Sequence, residues 1–354
     1  MAGAGGAAYN DRMRTSRHRT VQAVAGTLRR RDLIPAGSHV VVALSGGADS
    51  VALAAILREL ARGNRHRFDL VLAHLNHGLR RTASRDAAFV ADLAGRWALP
   101  LVTARARVRE AARERGVGIE EAARSVRYEF LERTALDAGA SHVALGHHSD
   151  DQAETVLMSF LRGASVRGLA GMPVRRPIRP GSPVVLVRPL IEVSRAELID
   201  YLKARRLTWV EDETNRSRKM MRNRVRHDLL PMLERDYAPG LRRRLVQGAA
   251  ALADVQERLA GRAAAVWDDA VVSATRTAVT FRIDLLRDEG RAVTAELLLA
   301  ALERLGAGRG DITAEHLSAV WQVVTSPAGG QQLDLPGRVR VSRRGKHLRV
   351  GVAE

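Results

Sequence analysis

Residues 40–50 read Val-Val-Val-Ala-Leu-Ser-Gly-Gly-Ala-Asp-Ser, and no other stretch restricts the fold as tightly. An apolar run stops at Ser45-Gly46-Gly47. A helical pattern then opens at Asp49-Ser50 and continues through Val51, Leu53, Ile56, Leu57 and Leu60. That is a buried strand delivering its chain into a glycine turn at a helix N-terminus. Such a place has free backbone N–H groups and a positive dipole end, so it attracts phosphate. Gly46 and Gly47 let the backbone approach an anion closely, because no Cβ stands in the way. Ser45 and Ser50 can donate hydroxyls, and Asp49 can hold a magnesium ion that bridges phosphate oxygens. The Gly-Lys-Ser/Thr ending of a Walker loop is missing. Two glycines alone would make an ordinary turn; the full string from Ser45 through Ala48 to Ser50 makes a candidate nucleotide-binding loop.

Strand-like and helix-like segments alternate around that unit from about Thr20 to Gly163. Strands are expected at Phe68–His77, Leu101–Ala106 and His142–His147, with helices at Ala83–Ala98, Ile119–Ala138 and Ser149–Arg162. The alternation predicts an α/β fold, a doubly wound parallel sheet whose ligands sit at the carboxyl ends of the strands. The phosphate loop, His74–Arg80 and Gly146–Asp151 all fall at such ends. Arg175–Pro183 reads as an exposed loop, and Ser194–Arg205 as a helix with a capping box. Met220–Leu233 and Leu241–Val271 read as helices. The remainder mixes strands (Val279–Leu285, Gln332–Leu335, Val339–Val341, His347–Val352) with helices at Thr294–Leu305 and Thr313–Val324. The expected organisation is a flexible basic tail over 1–19, a nucleotide-binding domain over 20–215, and a smaller helical and α+β domain over 216–354.

Composition narrows the partners. A formal net charge of +18 over 354 residues suits a polyanion, nucleic acid by default, with binding that weakens as salt rises. Aromatic residues make up only 4%, so extensive base-stacking platforms are not expected. The absence of cysteine removes disulfides, thiolate metal sites and persulfide chemistry. No apolar stretch approaches the ~20 residues of a membrane span, and no apolar signal region opens the chain; the expected location is cytoplasmic.

Two further segments carry chemistry. His74-Leu-Asn-His-Gly-Leu-Arg80 lacks the third and fourth ligands of a zinc site and reads as a polar loop beside the nucleotide. In Gly146-His-His-Ser-Asp-Asp-Gln-Ala-Glu-Thr155, Asp151 and Glu154 lie three apart and share a helix face. Asp150 and Asp151 suit a helix start on dipole grounds alone. A carboxylate pair there can also hold magnesium or an ammonium group, with His147 just before it.

The phosphate loop resembles that of the ATP pyrophosphatase superfamily (adenine nucleotide α-hydrolase-like). Joined to His74–Arg80, Glu120–Tyr128, Gly146–Thr155, Leu161–Met172, Arg188-Pro-Leu190, Glu211–Asn215 and Arg222–His227, it resembles the tRNA(Ile)-lysidine synthase family. Ser326–Pro336 extends a weaker likeness, and Ser165 departs from the family's usual glycine. The resemblance implies ATP-dependent ligation of free L-lysine to carbon 2 of the wobble cytidine of tRNA(Ile) with a CAU anticodon, through an adenylated cytidine. ATP would sit on Ser45–Ser50, and Mg2+ on Asp49 and Asp150. Asp49, Arg127, His147, Asp151 and Glu154 would be catalytic, with Asp151 and Glu154 on the lysine ammonium and Arg127 and His147 near the α-phosphate or the activated base. Arg218, Arg222 and Arg226 recur every four residues and, with Arg224, are the expected tRNA contacts, against the alternative of a solvated face. A homodimer is left open.

Rival readings are separable. A tRNA thiolase needs cysteines that this chain lacks, and amidating relatives have no evident use for the charge of +18. Another adenylating enzyme acting on RNA, or a non-catalytic RNA-binding protein on a degenerate nucleotide fold, is told apart by tRNA-dependent ATP–diphosphate exchange.

Overall fold

The computed structural model describes residues 18–63, 67–78, 83–211, 218, 220–307, 312–327 and 330–352. The expected tail over 1–19 therefore lies outside the described residues except for His18 and Arg19, as do Leu79, Arg80 and residues 212–215. The chain divides into two compact units, Met1–Glu154 with Pro173–Arg242, and Thr155–Met172 with Arg243–Glu354. That division falls after Arg242, later than the 215/216 boundary read from the sequence.

The first unit is a six-stranded sheet flanked by helices. Its elements run α1 (Arg19–Arg30), β1 (His39–Ala43), α2 (Ala48–Ala61), β2 (Asp69–Asn76), α3 (Ala83–Trp97), β3 (Leu101–Arg105), α4 (Val108–Arg115) and α5 (Ile119–Asp137). They continue as β4 (His142–Ala144), the start of α6 (Ser149–Leu161), β5 (Arg175–Pro177), β6 (Val185–Val187) and α8 (Arg195–Ala204); the rest of α6 and α7 (Val166–Leu169) belong to the second unit. The strand order is β3-β2-β1-β4-β6-β5, parallel except for the antiparallel edge strand β5. Side chains of β1 alternate between two cores. Val40 and Val42 pack with Val24, Ile56 and Leu198 on one face, and Val41 packs with Phe130, Leu131 and Val143 on the other. Helices on both faces explain why β1 is continuously apolar. The chain leaves β1 toward β2 and β3, then returns to place β4 on the other side. The β1/β4 junction is therefore the point where strand order reverses, the place at which sheets of this kind bind their ligands.

The C-terminal part of this unit is helical: α9 (Met221–Arg224), a π-turn over Val225–Leu229, then α10 (Leu230–Asp236). The second unit continues with α11 (Leu241–Ala265), α12 (Trp267–Ala270), β7 (Val271–Ala274), β8 (Ala278–Arg282), α13 (Ile283–Arg304), α14 (Ala314–Thr325), β9 (Gln332–Leu335), β10 (Val339–Arg344) and β11 (His347–Val352). Its five strands form an antiparallel sheet in the order β7-β8-β11-β10-β9. Val279, Phe281, Val341 and Val350 of that sheet share a core with Leu297, Leu302, Val320 and Val324 of α13 and α14. Among the described residues no helix is long and apolar enough to cross a membrane.

Several elements depart from the sequence reading. The expected loop at Arg175–Pro183 contains β5, paired with β6 through Arg175↔Val187 and Pro177↔Val185. The strand expected to reach Leu285 stops at Arg282, where Ile283 opens α13 with Asp284 in its first turn. Gly290, at φ 79°, breaks α13 into two helices. The helix expected through Val271 ends at Ala265, and Val271 begins β7. Ser165 stands at the N-cap of α7 with φ −67°, a backbone that any residue adopts, so its departure from glycine costs nothing there.

Candidate active site

The loop after β1 braces itself. Ser50 Oγ accepts the Ser45 N–H (3.1 Å) and donates to the Gly47 carbonyl (2.9 Å), while the Ser45 and Ser50 hydroxyls lie 3.1 Å apart. Both serines thus hold the turn itself. Gly46 takes φ 90°, a left-handed backbone that an L side chain adopts only with strain, and its carbonyl accepts the Val210 N–H at 2.9 Å. Gly47 is the N-cap of α2 and makes no side-chain capping bond. The first amides of α2 are therefore left to an external acceptor. His74, buried at the end of β2, contributes from beneath. Its Nδ1 must donate to the Leu44 carbonyl (2.8 Å), which ties β2 to the residue before the loop. The His74 motif thus contains a structural brace, and the Asn76 side chain likewise holds the Gly78 N–H at 2.9 Å.

Gly146, just past β4, is closely approached by the backbone of α2. A Cβ there would lie 3.1 Å from the Asp49 carbonyl oxygen and 3.3 Å from the Ser50 nitrogen, both backbone atoms. This contact seats Gly146-His147-His148 against the first turn of α2.

The two histidines that follow are tuned in opposite directions. His148 is 1% exposed and lies among three carboxylates: Asp49 Oδ2 at 3.6 Å and Asp151 Oδ2 at 3.4 Å from Nε2, and Asp150 Oδ2 at 3.7 Å from Nδ1. Burial disfavours its charge, but the hydrogen bond to Asp49 and the three carboxylates outweigh burial and hold the imidazolium above its ordinary value. His147 is pushed down to about 3 by burial and by Arg188, Arg127 and Arg222, against the opposing pull of Asp151. At neutral pH it is an uncharged ring, able to donate or accept a hydrogen bond but not to supply positive charge. Sequence reasoning passed over His148. Its only signal was its position three residues before Asp151, which does not reveal which of two adjacent histidines faces the carboxylates.

Asp49 and Asp150, the expected metal pair, both flank His148 and Arg195. Asp49 keeps one buried oxygen, Oδ1, without a hydrogen-bond partner, with Arg195 Nε at 3.6 Å. One such carboxylate beside a phosphate loop suits magnesium, which takes one or two carboxylates and completes its shell with phosphate oxygens and water. Asp150 is already engaged. It accepts the Arg195 N–H at the start of α8 (2.9 Å) and faces Arg242 Nε at 3.5 Å. Among the described residues no group of three or more histidines or carboxylates is arranged to hold a metal.

Asp151 and Glu154 do share a face of α6, and two arginines occupy it. Arg222 Nε donates to Glu154 Oε2 (3.0 Å) and Arg222 Nη2 to Asp151 Oδ1 (3.2 Å). Arg226 Nε donates to Glu154 Oε1 (2.5 Å), and Arg226 Nη2 reaches both Asp151 Oδ1 (2.7 Å) and Glu154 Oε2 (2.9 Å). Burial pushes the Asp151 carboxyl up, but His148, Arg222 and Arg226 outweigh it and hold the group below the usual carboxylate range. Two of the four arginines expected to meet tRNA, Arg222 and Arg226, therefore pair with carboxylates of the chain itself while keeping 39% and 28% side-chain exposure. A four-residue spacing places Arg222 and Arg226 on one face, and Val225 and Leu230, buried in the unit, turn that face inward. Arg224 is exposed, with Nη2 3.5 Å from Met221 Sδ, and Arg218 is exposed and pairs with Asp228 at 3.3 Å. Arg127 lies on α5 with its guanidinium 5.6 Å from the Tyr128 ring centroid and its buried Nε unpartnered. A separate open cavity of about 570 Å³, lined by His77, Gly78 and Arg105–Glu110, lies beyond the ends of β2 and β3.

The sequence profile of the PP-loop domain matches residues 16–233. The tRNA(Ile)-lysidine synthase of Geobacter sulfurreducens is 39% identical over 308 residues, covering 87% of this chain and 64% of that protein. That of Symbiobacterium thermophilum is 38% identical over 322 residues (88% and 65%), and that of Solibacter usitatus 35% identical over 321 residues (90% and 69%). The chain thus spans roughly two thirds of the length of these curated relatives, slightly less for the first two. Among solved structures, the U34-tRNA thiolase NcsA from Methanococcus maripaludis superposes with a TM-score of 0.55 at 20% identity, over 66% of this chain and 78% of that one. This likeness concerns the fold alone. The loop, the strand order and these relatives agree: the chain belongs to the PP-loop domain family and, within it, to the tRNA(Ile)-lysidine synthases.

Proposed function

We propose that this chain ligates free L-lysine to carbon 2 of the wobble cytidine in tRNA(Ile) bearing a CAU anticodon, consuming ATP and releasing diphosphate and AMP. The observation that carries this reading is the buried carboxylate pair Asp151–Glu154 on the same rim as a phosphate loop with uncapped amides. The first step forms a bond from the cytidine O2 to the α-phosphorus and breaks the α–β phosphoanhydride. The amides of Ala48 to Ser50 would receive the departing diphosphate. Magnesium held at Asp49, when bound, would neutralise charge on those oxygens; Asp150 is the weaker ligand because Arg195 and Arg242 engage it. Arg127 and the neutral His147 would donate hydrogen bonds to the α-phosphate or the activated base.

In the second step the lysine amine attacks carbon 2 and AMP leaves. The ε-ammonium has a pKa of about 10.4, so it must be bound and then give up a proton. Asp151 and Glu154 would hold it, which obliges Arg222 or Arg226 to withdraw from them. Arg218 and Arg224 are the proposed tRNA contacts from that segment in the resting molecule, joined by whichever of Arg222 and Arg226 withdraws. These substrates imply a cytoplasmic enzyme. A thiolase reading fails on the chain's lack of cysteine. The test is incubation with ATP, radiolabelled lysine and unmodified tRNA whose anticodon begins with cytidine. Label should enter that tRNA and stay out of a uridine variant. No label, together with no tRNA-dependent diphosphate release, would overturn the proposal.

A further inference from the structure

Four arginines converge on one buried phenol without a carboxylate to balance them. The guanidinium carbons of Arg124, Arg127 and Arg176 stand 5.0, 5.6 and 5.2 Å from the Tyr128 ring centroid. Arg188, 2% exposed, completes the group; its Nη1 donates to the Pro173 carbonyl (2.5 Å) and its Nε has no partner. The Nε of Arg127 and the Nδ1 of His147 are also buried and unpartnered. Among the described residues none of the four arginines forms an ion pair, whereas Arg115, Arg179, Arg205, Arg222, Arg226 and Arg242 all do. Arg188 is buried, Arg127 and Arg176 are half-buried, with Arg176 donating to the Pro177 and Ile178 carbonyls, and Arg124 is exposed at the mouth of the group. Charge of one sign that is even partly buried is costly unless a counter-charge joins it.

The electrostatics agree. Burial lowers Arg188 to about 10, with Arg176 and Arg124 adding to the effect. Burial pushes the Tyr128 phenol up, yet the four arginines outweigh it and hold the group below its ordinary value.

The place in the fold is informative. Arg188 directly follows β6, and the Leu145 N–H bonds to the Val187 carbonyl (3.0 Å), so Arg188 stands beside Gly146-His147 on the carboxyl rim. The phosphate loop follows β1, two strands away in the order β1-β4-β6, roughly 10 Å at ordinary strand spacing.

We infer that Arg124, Arg127, Arg176 and Arg188, gathered round the Tyr128 ring, form a second phosphate-binding pocket beside the glycine loop. Forked guanidiniums match phosphate oxygens, and the aromatic face holds them splayed in advance. The occupant is a phosphate from one of two sources: the α-phosphate of a nucleotide, or a phosphodiester of RNA flanking the reacting base. The nucleotide arm rests on the proposed function, which already gives Arg127 the α-phosphate; the phosphodiester arm stands on these arginines alone and survives even if the ligation reading fails.

The test uses the full chain and its R176Q, R188K, Y128F and Y128L variants. ATP binding is followed by calorimetry, and binding of a labelled anticodon stem-loop RNA by anisotropy across a salt series. R176Q and R188K should each weaken one ligand about ten-fold or more. Y128F, which keeps the ring face, should stay within about two-fold, while Y128L should follow the arginine variants. Loss confined to RNA, with the log–log salt slope reduced by about 0.7–0.9 per contact, identifies a phosphodiester; loss confined to ATP identifies the nucleotide. Arg176 is partly exposed on an edge strand, so R176Q keeps the test open if R188K fails to fold. Unchanged affinity for both ligands in folded R176Q and Y128L would overturn the inference.

Discussion

Glu154 is 1% exposed, and both of its carboxylate oxygens accept hydrogen bonds from guanidiniums. Changing it to glutamine keeps the shape and removes the charge that balances Arg222 and Arg226. The expected loss of stability is about 2 kcal/mol, below the roughly 3–5 kcal/mol of a broken, fully buried pair. Arg222 and Arg226 retain 39% and 28% side-chain exposure, so water partly compensates them. In lysine-ligation kinetics, E154Q should raise the lysine KM far more than the ATP KM; equal effects would remove Glu154 from the amine site. The neighbouring histidines give opposite pH signatures. His147 is depressed, so between about pH 3 and 6.5 the unfolded chain binds a proton that the folded one refuses, and acid destabilises. His148 is raised, so its contribution is full below about pH 6.5 and fades as pH climbs through its higher folded value. Melting temperatures across pH should therefore show H147Q with a shallower acid fall, and H148Q losing most below about pH 6.5.

At the scale of elements, the site depends on how closely β4 approaches α2. In G146A the added Cβ would press on the backbone of Asp49 and Ser50, which cannot rotate aside. A cost of about 1–3 kcal/mol and a shifted first turn of α2 are expected. ATP affinity should fall at least about ten-fold, while the circular dichroism spectrum stays that of the parent; unaltered ATP binding would show that the turn tolerates the shift. This unit was legible in the sequence because an apolar run, a glycine pair and a helical pattern each indicate the same strand–turn–helix. The doubly wound parallel sheet followed from the alternation of such units, but the strand order, and with it the switch point, came only from the fold. Other elements were not legible for physical reasons. β5, β6 and β7 have three, three and four residues, too few for alternation to register. Spacing placed Arg222 and Arg226 on one face without telling whether the face looks outward. The arginine cluster was invisible because Arg127, Arg176 and Arg188 come from separate elements that only the folded sheet brings together.

For the whole molecule, the charge of +18 is not spread as inert surface. Part of it is neutralised internally, as with Arg205 on Glu59 and Arg340 on Asp334. Part converges without counter-charge near Tyr128. A polyanion that releases many counterions should bind with steep salt dependence, and a single nucleotide with a shallow one. Titrations between about 50 and 200 mM salt should weaken a cognate tRNA by roughly 10³-fold or more while moving ATP far less. Parallel slopes for the two ligands would show that the excess charge is not engaged by RNA.

The ion pairs between α6 and the segment carrying Arg222 and Arg226 have a consequence for timing. An amine that meets Asp151 and Glu154 while both are already neutralised gains little by arriving first. Something must lure a guanidinium away beforehand, and a strand of phosphates is the strongest bait for it. Under the proposed ligation, arrival order would thereby be built into the resting molecule, and stray amines would be kept from draining the activated intermediate.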